Sequence, residues 1–293
     1  MKNLLYLVFA SILISACNFN HSESLDSVTG MSTKGDGLSS DEPFIEIEGV
    51  TVNRNSFSYG EKVWIMFNNV QGLERNNDRA HVGLSIKITN TLTNKIEVEE
   101  DDLFADRADG FEETPLLVKA NFLAAFPYKD NEKYKIDVRI WDKDGTGEFT
   151  MSMPFTIHES ELINVKSKQI EYSSVYLWNE TKQIALVDNK IDMSDKLLII
   201  FDGLKGFSEE GGSVYPTVSL ELIDDAGTVI ISEDNLLSDV VQSGVGPEEL
   251  AGQLPLSVAF GRKIKSPAHL KVIIADQISN ERLILVSDLE VMR

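Results

Sequence analysis

The feature that most constrains this chain is internal. Residues 50–157 can be laid on residues 184–291 at an almost constant offset of 134. Val63-Trp64-Ile65-Met66-Phe67-Asn68-Asn69-Val70-Gln71-Gly72 answers to Leu197-Leu198-Ile199-Ile200-Phe201-Asp202-Gly203-Leu204-Lys205-Gly206. Glu100-Asp101-Asp102-Leu103 answers to Glu233-Asp234-Asn235-Leu236 after a one-residue slip, and Ile136–Asp142 to Leu270–Asp276. Blocks in the same order at one spacing point to two copies of one unit. A period above 100 residues is too long for a solenoid repeat and implies tandem globular domains.

Within each copy the apolar residues recur mostly with period two, as in strands. Leu84, Ile86 and Ile88 alternate with polar residues, and so do Val218, Leu220 and Leu222; Ile136, Val138 and Ile140 repeat the pattern. Residues 63–67 and 197–201 are continuously apolar, which predicts strands buried on both faces, with Trp64 facing the core. Turn signals separate the runs at Tyr59-Gly60-Glu61, Asp225-Ala226-Gly227 and Asp144-Gly145-Thr146-Gly147. Some seven short strands per copy predict a mainly all-β chain of two tandem immunoglobulin-like antiparallel β-sandwich domains, spanning 44–157 and 184–293. Residues 158–183 then form a linker with an added strand. Pro247 to Leu254 has the acidic first turn of a short helix, and residues 101–106 and 234–241 read as helical turns.

The formal net charge of −20 repels phosphate backbones and argues against nucleic acid as a partner. A hydrophobic content of 42% is that of a globular protein.

The chain starts Met1-Lys2-Asn3, followed by an apolar run over residues 4–14 and then Ser15-Ala16-Cys17. This reads as a signal peptide, too short for a span that needs about 20 apolar residues. Cys17 is the only cysteine, so the fold has no intramolecular disulfide. Ile14-Ser15-Ala16-Cys17 resembles the lipobox of bacterial lipoproteins. That resemblance implies cleavage of residues 1–16, lipidation of Cys17 and attachment to a membrane of the cell envelope. Asn18 stands where an aspartate would favour inner-membrane retention, so the resemblance favours the outer membrane. Residues 17–43, rich in Ser, Gly and acids, read as a flexible tether.

Candidate sites are few. Glu100, Asp101, Asp102, Glu233 and Asp234 recur in both copies and have the chemistry of calcium ligands, but equally that of acidic turns beginning a helical turn. Residues 142–148 resemble the start of a calcium loop, yet flanking strands make a hairpin turn the better reading. Trp141 and Arg139 lie on the polar face of one strand, where an indole can stack on a sugar or anchor a protein. The competing reading packs Trp141, Tyr176 and Trp178 at the contact between domains. The four histidines share no metal-ligand spacing, and nucleophile-elbow, phosphate-loop and His-Glu-x-x-His motifs are missing. The sequence therefore predicts a non-enzymatic binding or scaffolding lipoprotein without an obligatory cofactor, held to the membrane through Cys17 and meeting an envelope protein partner. The alternatives are a calcium- or carbohydrate-binding surface module and a hydrolase assembled from distant strands.

Overall fold

A computed structural model describes residues 21–238, 243–260 and 264–292. The signal peptide and Cys17 lie outside the described residues. The first domain runs β1 (His21–Leu25), β2 (Ser32–Asp36), β3 (Phe44–Ile47), β4 (Val50–Val52), β5 (Ser56–Ser58), β6 (Lys62–Val70), β7 (Arg75–Asn76), β8 (Arg79–Ala80), β9 (Val82–Asn90), β10 (Ile96–Glu100), β11 (Leu116–Leu123), β12 (Lys133–Asp142) and β13 (Glu148–His158). The second runs β14 (Asn164–Lys166), β15 (Ser174–Asn179), β16 (Ile184–Ala185), β17 (Lys190–Asp192), β18 (Lys196–Asp202), β19 (Pro216–Asp224), β20 (Val229–Glu233), α1 (Pro247–Leu250), β21 (Gln253–Ala259), β22 (Ala268–Asp276) and β23 (Arg282–Met292).

Each domain is an immunoglobulin-like sandwich of two sheets, and the two share one strand order. The larger sheets run β2-β13-β12-β9-β10 and β14-β23-β22-β19-β20, with β5 and β17 each pairing in parallel with the last strand of its domain. The smaller sheets run β11-β6-β3-β4 and β21-β18-β15-β16. The segments from β3 to β5 and from β15 to β17 thus cross from the smaller sheet of each domain to the larger. In the first domain β1 adds a hairpin beyond β2.

Period-two burial builds the cores. Tyr134, Ile136, Val138 and Ile140 of β12 point inward, opposite Phe149, Met151, Met153 and Phe155 of β13. Each such side chain contributes about 1.5–3 kcal/mol on leaving water. The first core ends in an aromatic cluster: Phe155 lies 4.8 Å from Phe122, 5.6 Å from Tyr134, 5.9 Å from Tyr128 and 6.1 Å from Phe57, between ring centroids.

The expected boundaries need correction. The stretch read as a tether carries, from His21 on, β1 and β2, and buries Met31 and Leu38. The stretch read as a linker contributes β14 and β15, which complete the second domain's two sheets. The helix expected to reach Leu254 stops at Leu250, because Gln253 already pairs with Asp202 on β18. Residues 101–106 close hydrogen-bonded turns, as expected: the Ala105 amide donates to the Asp102 carbonyl and that of Arg107 to the Phe104 carbonyl. The corresponding expectation over 234–241 falls partly outside the described residues.

The two continuously apolar strands also behave differently. In β6, Val63, Ile65 and Phe67 are buried, whereas Trp64 and Met66 lie half-exposed on the outer face, against expectation. In β18 the outer face is largely covered, because Ile200 and Tyr176 pack into the first domain's apolar cluster, with Leu198 and Trp178 beside them. The contact is close. Gly60, at φ 91°, brings its backbone so near the Tyr176 ring that a Cβ would sit 2.6 Å from it, and the Tyr59 hydroxyl lies 3.4 Å from the Ser173 carbonyl oxygen.

One buried group is orphaned. Ser287 of β23 is buried among Leu283, Leu285 and Leu289, and its hydroxyl has no hydrogen-bond partner among the described residues. It pairs with Leu270 as Met153 pairs with Ile136 in the first domain. An unsatisfied buried hydroxyl costs about 1–3 kcal/mol. Ser287→Ala is therefore expected to stabilise the second domain by about 1 kcal/mol, read as a rise in its melting temperature.

Candidate functional site

The outer face of the first domain's larger sheet carries side chains in ranks that cross the strands. Strict antiparallel register sets them. Glu23, Lys34, Thr150, Arg139 and Ser85 stand directly opposite one another along β1, β2, β13, β12 and β9. The next rank is Ser32, Ser152, Asp137 and Lys87. A third is Asp36, Glu148, Trp141 and Gly83. Strands lie about 4.8 Å apart, so a rank across five of them is roughly 19 Å long.

The ranks frame an open groove of about 540 Å³ whose lining includes Lys34, Ser85, Lys87, Asp137, Arg139 and Thr150. Its side chains hold one another in place. Ser152 donates to Asp137 Oδ1 at 2.7 Å, Lys135 Nζ lies 2.9 Å from Asp137 Oδ2, and Arg139 Nε lies 2.7 Å from Glu148 Oε2. At such exposure each ion pair contributes under about 1 kcal/mol, so they orient the groove more than they stabilise it.

Trp141 lies over Gly83, and the Arg139 guanidinium sits 4.8 Å from the indole centroid. The indole is therefore held against the sheet next to Arg139, beside the groove, and is not part of the contact between domains, where Tyr176 and Trp178 pack. Glycine at position 83 makes this possible, because a Cβ there would come 2.0 Å from the ring. Gly83→Val is expected to lever the indole outward, with a red-shifted tryptophan emission and a loss of about 2 kcal/mol on chemical denaturation.

The repeated acidic segments start at the last residues of β10 and β20. Glu100, Asp101, Glu233 and Asp234 are exposed. Asp102 Oδ1 accepts from the amides of Leu84 (3.2 Å) and Phe104 (2.9 Å), while Oδ2 meets Lys143 Nζ at 2.6 Å. Burial pushes its carboxyl upward, but Lys143 and these amides outweigh that and hold it below the usual carboxylate range. Asn235 Oδ1 repeats the arrangement, accepting from Val218 and Leu237 at 3.0 Å each. The position shared by both copies, Asp102 and Asn235, thus ties a turn to β9 or β19 by accepting backbone hydrogen bonds. Among the described residues no three His, Cys, Asp or Glu gather to hold a metal ion.

Residues 142–148 form the expected hairpin turn. Asp142 is buried and accepts from the amides of Glu74 (2.6 Å) and Asp144 (3.0 Å); Asp276 does the same for Ser208 (2.8 Å) and Ile278 (3.0 Å).

Arg139 and Trp141 were legible as candidates, whereas Lys34, Ser85, Lys87, Thr150 and Ser152 were not. A signal was present in the comparison of the copies. On the second domain's equivalent face Ile273 stands for Arg139, Ile284 for Thr150 and Val286 for Ser152, so that face is more apolar, although Ser219, Glu221 and Lys271 line a smaller pocket of about 170 Å³ there.

No family model and no curated protein matches the sequence. Among solved structures, the FN1-FN3 domains of chicken CNTN1 align over 82% of this chain at 9% identity and a TM-score of 0.24. A chain named pT26-6p aligns over 93% at 7% identity and 0.24, and the three FKBP domains of wheat FKBP73 over 78% at 9% and 0.13, covering 94% of that chain. The chain spans 65% of the length of each of the first two.

Proposed function

We propose that the chain is a non-enzymatic binding or scaffolding lipoprotein of the cell envelope, anchored through Cys17, that receives an extended polar segment of a partner protein in the groove of its first domain. The observation that carries this is the set of ranks across β2, β13, β12 and β9. Both charge signs and several hydroxyls stand at fixed spacings on a rigid sheet, which suits a ligand laid across the strands. The residues with lowered carboxyls, such as Asp102 and Asp276, are engaged in holding turns. The resemblance of residues 14–17 to a lipobox supports the anchor. Only Asn18, Phe19 and Asn20 separate Cys17 from β1, a reach of roughly 14 Å, so the groove's β1 edge would stand close to the lipid surface.

A glycan strand is the second reading, favoured by the hydroxyls of Ser85, Thr150 and Ser152 in the groove and by Trp141 in the neighbouring rank. Two measurements test the proposal. Fatty-acid labelling is expected for the wild type and not for Cys17→Ser. A photocrosslinking residue at Thr150 is expected to give a discrete protein adduct in intact envelopes, reduced at least tenfold by Arg139→Glu, while the same probe at Ile273 gives none. A tenfold loss corresponds to about 1.4 kcal/mol, within reach of one charged contact. Equal labelling at both positions, or indifference to Arg139→Glu, would remove the groove from the account.

A further inference from the structure

The contact between the domains joins two different patches, and each domain possesses a counterpart of both. One patch is the outer face of the smaller sheet, in the second domain Tyr176, Trp178, Leu198 and Ile200. The other is the pole of the preceding domain, where Tyr59-Gly60-Glu61 turns from β5 into β6. By register, the first domain's equivalent face is Phe44, Glu46, Trp64 and Met66. The second domain's equivalent pole is Met193-Ser194-Asp195, between β17 and β18, with Ser194 exposed. Among the described residues, one face and one pole therefore remain over in every chain.

We infer that this leftover pair is an interface between copies: the pole of one copy's second domain seats on the Trp64 face of the next. A contact between two unlike patches does not close on itself and propagates head to tail. The Trp64 face retains the aromatic and apolar pattern of its covered counterpart. Trp64 is half-exposed, with Lys62 and Lys119 ammonium groups 4.8 and 4.7 Å from its ring centroid, and Phe44 and Met66 beside it. It differs by carrying Glu46 and Lys119 where the second domain has Trp178 and Pro255, so the contact between copies is weaker and reversible. Each copy carries a formal charge of −20, and mutual repulsion makes association stronger as salt screens it.

Sedimentation velocity on the full chain with Cys17→Ser, so that no lipid contributes, tests this. The expected result is concentration-dependent growth beyond dimer that increases with ionic strength. Trp64→Glu and Ser194→Arg should each abolish it. Mixed together the two variants should form dimers and stop, since one retains the pole and the other the face. Asn121→Arg, exposed on β11 opposite Trp64, alters the face without touching the core and should reproduce Trp64→Glu if that variant folds poorly. A monomer at every concentration and salt, or association lost with Trp64→Glu but kept with Ser194→Arg, overturns the proposal.

Discussion

Phe155→Ala is expected to cost the first domain about 4 kcal/mol, the largest effect of any single change considered. The ring is buried and meets four other aromatic rings within 6.1 Å, so its removal leaves a cavity that flat, rotamer-locked neighbours fill poorly. The equivalent position in the second domain is Leu289, in an aliphatic setting. Near-ultraviolet dichroism, which reports the packed rings, should fall with the melting temperature. Tyr176 and Ile200 rest on the same apolar cluster, so the second domain's transition should shift too, though less. A loss below about 1 kcal/mol would mean that the site collapses freely and that the ring cluster is not the core's anchor.

Asp276→Ala is expected to cost about 3 kcal/mol, since it strands the amides of Ser208 and Ile278 and the Ser279 hydroxyl at a nearly sealed position. Burial pushes this carboxyl upward, but the hydrogen bonds from Ser279, Ser208 and Ile278 outweigh it and hold it below the usual carboxylate range. A folded value below the unfolded one means that the ionised form stabilises the fold. That contribution is full above the unfolded value of about 4 and is lost as pH falls through the folded one. Asp102 and Asp195 shift in the same direction, so the chain should weaken steeply below about pH 4. Urea denaturation at neutral pH and near pH 3 should show the deficit of Asp276→Ala shrinking on acidification. A deficit unchanged by pH would show that the side chain acts without its charge.

The repeat and its strands were readable because loop lengths from β6 and β18 onward match almost residue for residue. The first strands were not. Register places Ile45 with Leu177 and Ser56 with Lys190, so the second domain's crossing between sheets is two residues longer, and the alignment breaks there. In front of that break, β1 (HSESL) and β2 (STKGD) are almost wholly polar, a composition that also describes a tether. Their order comes from pairing with β13 and from Met31 and Leu38 beneath them, both non-local. The outward side of Trp64 is not legible, because a continuous apolar run does not say which neighbour covers its second face. In β18 that neighbour is the other domain; in β6 it is a pair of lysine stems. The groove was hidden for a related reason: its ranks join residues more than 100 positions apart, such as Lys34 and Thr150, that only register brings together.

The parallel pairing of β5 with β13 determines how the first domain would bear tension along the chain. A pull on the N-terminal side would first unzip the β1–β2 hairpin, whose five residue pairs open one after another from His21. Only after β2 has left β13 and β3 has left β6 would the load reach Thr156↔Ser56, Ile157↔Phe57 and His158↔Ser58, where parallel strands drawn toward opposite ends are sheared together rather than peeled. The second domain holds the same clamp at Lys190↔Glu290 to Asp192↔Met292. Such a chain yields a short, early extension from its outermost hairpin, while the rest resists as a stiff unit.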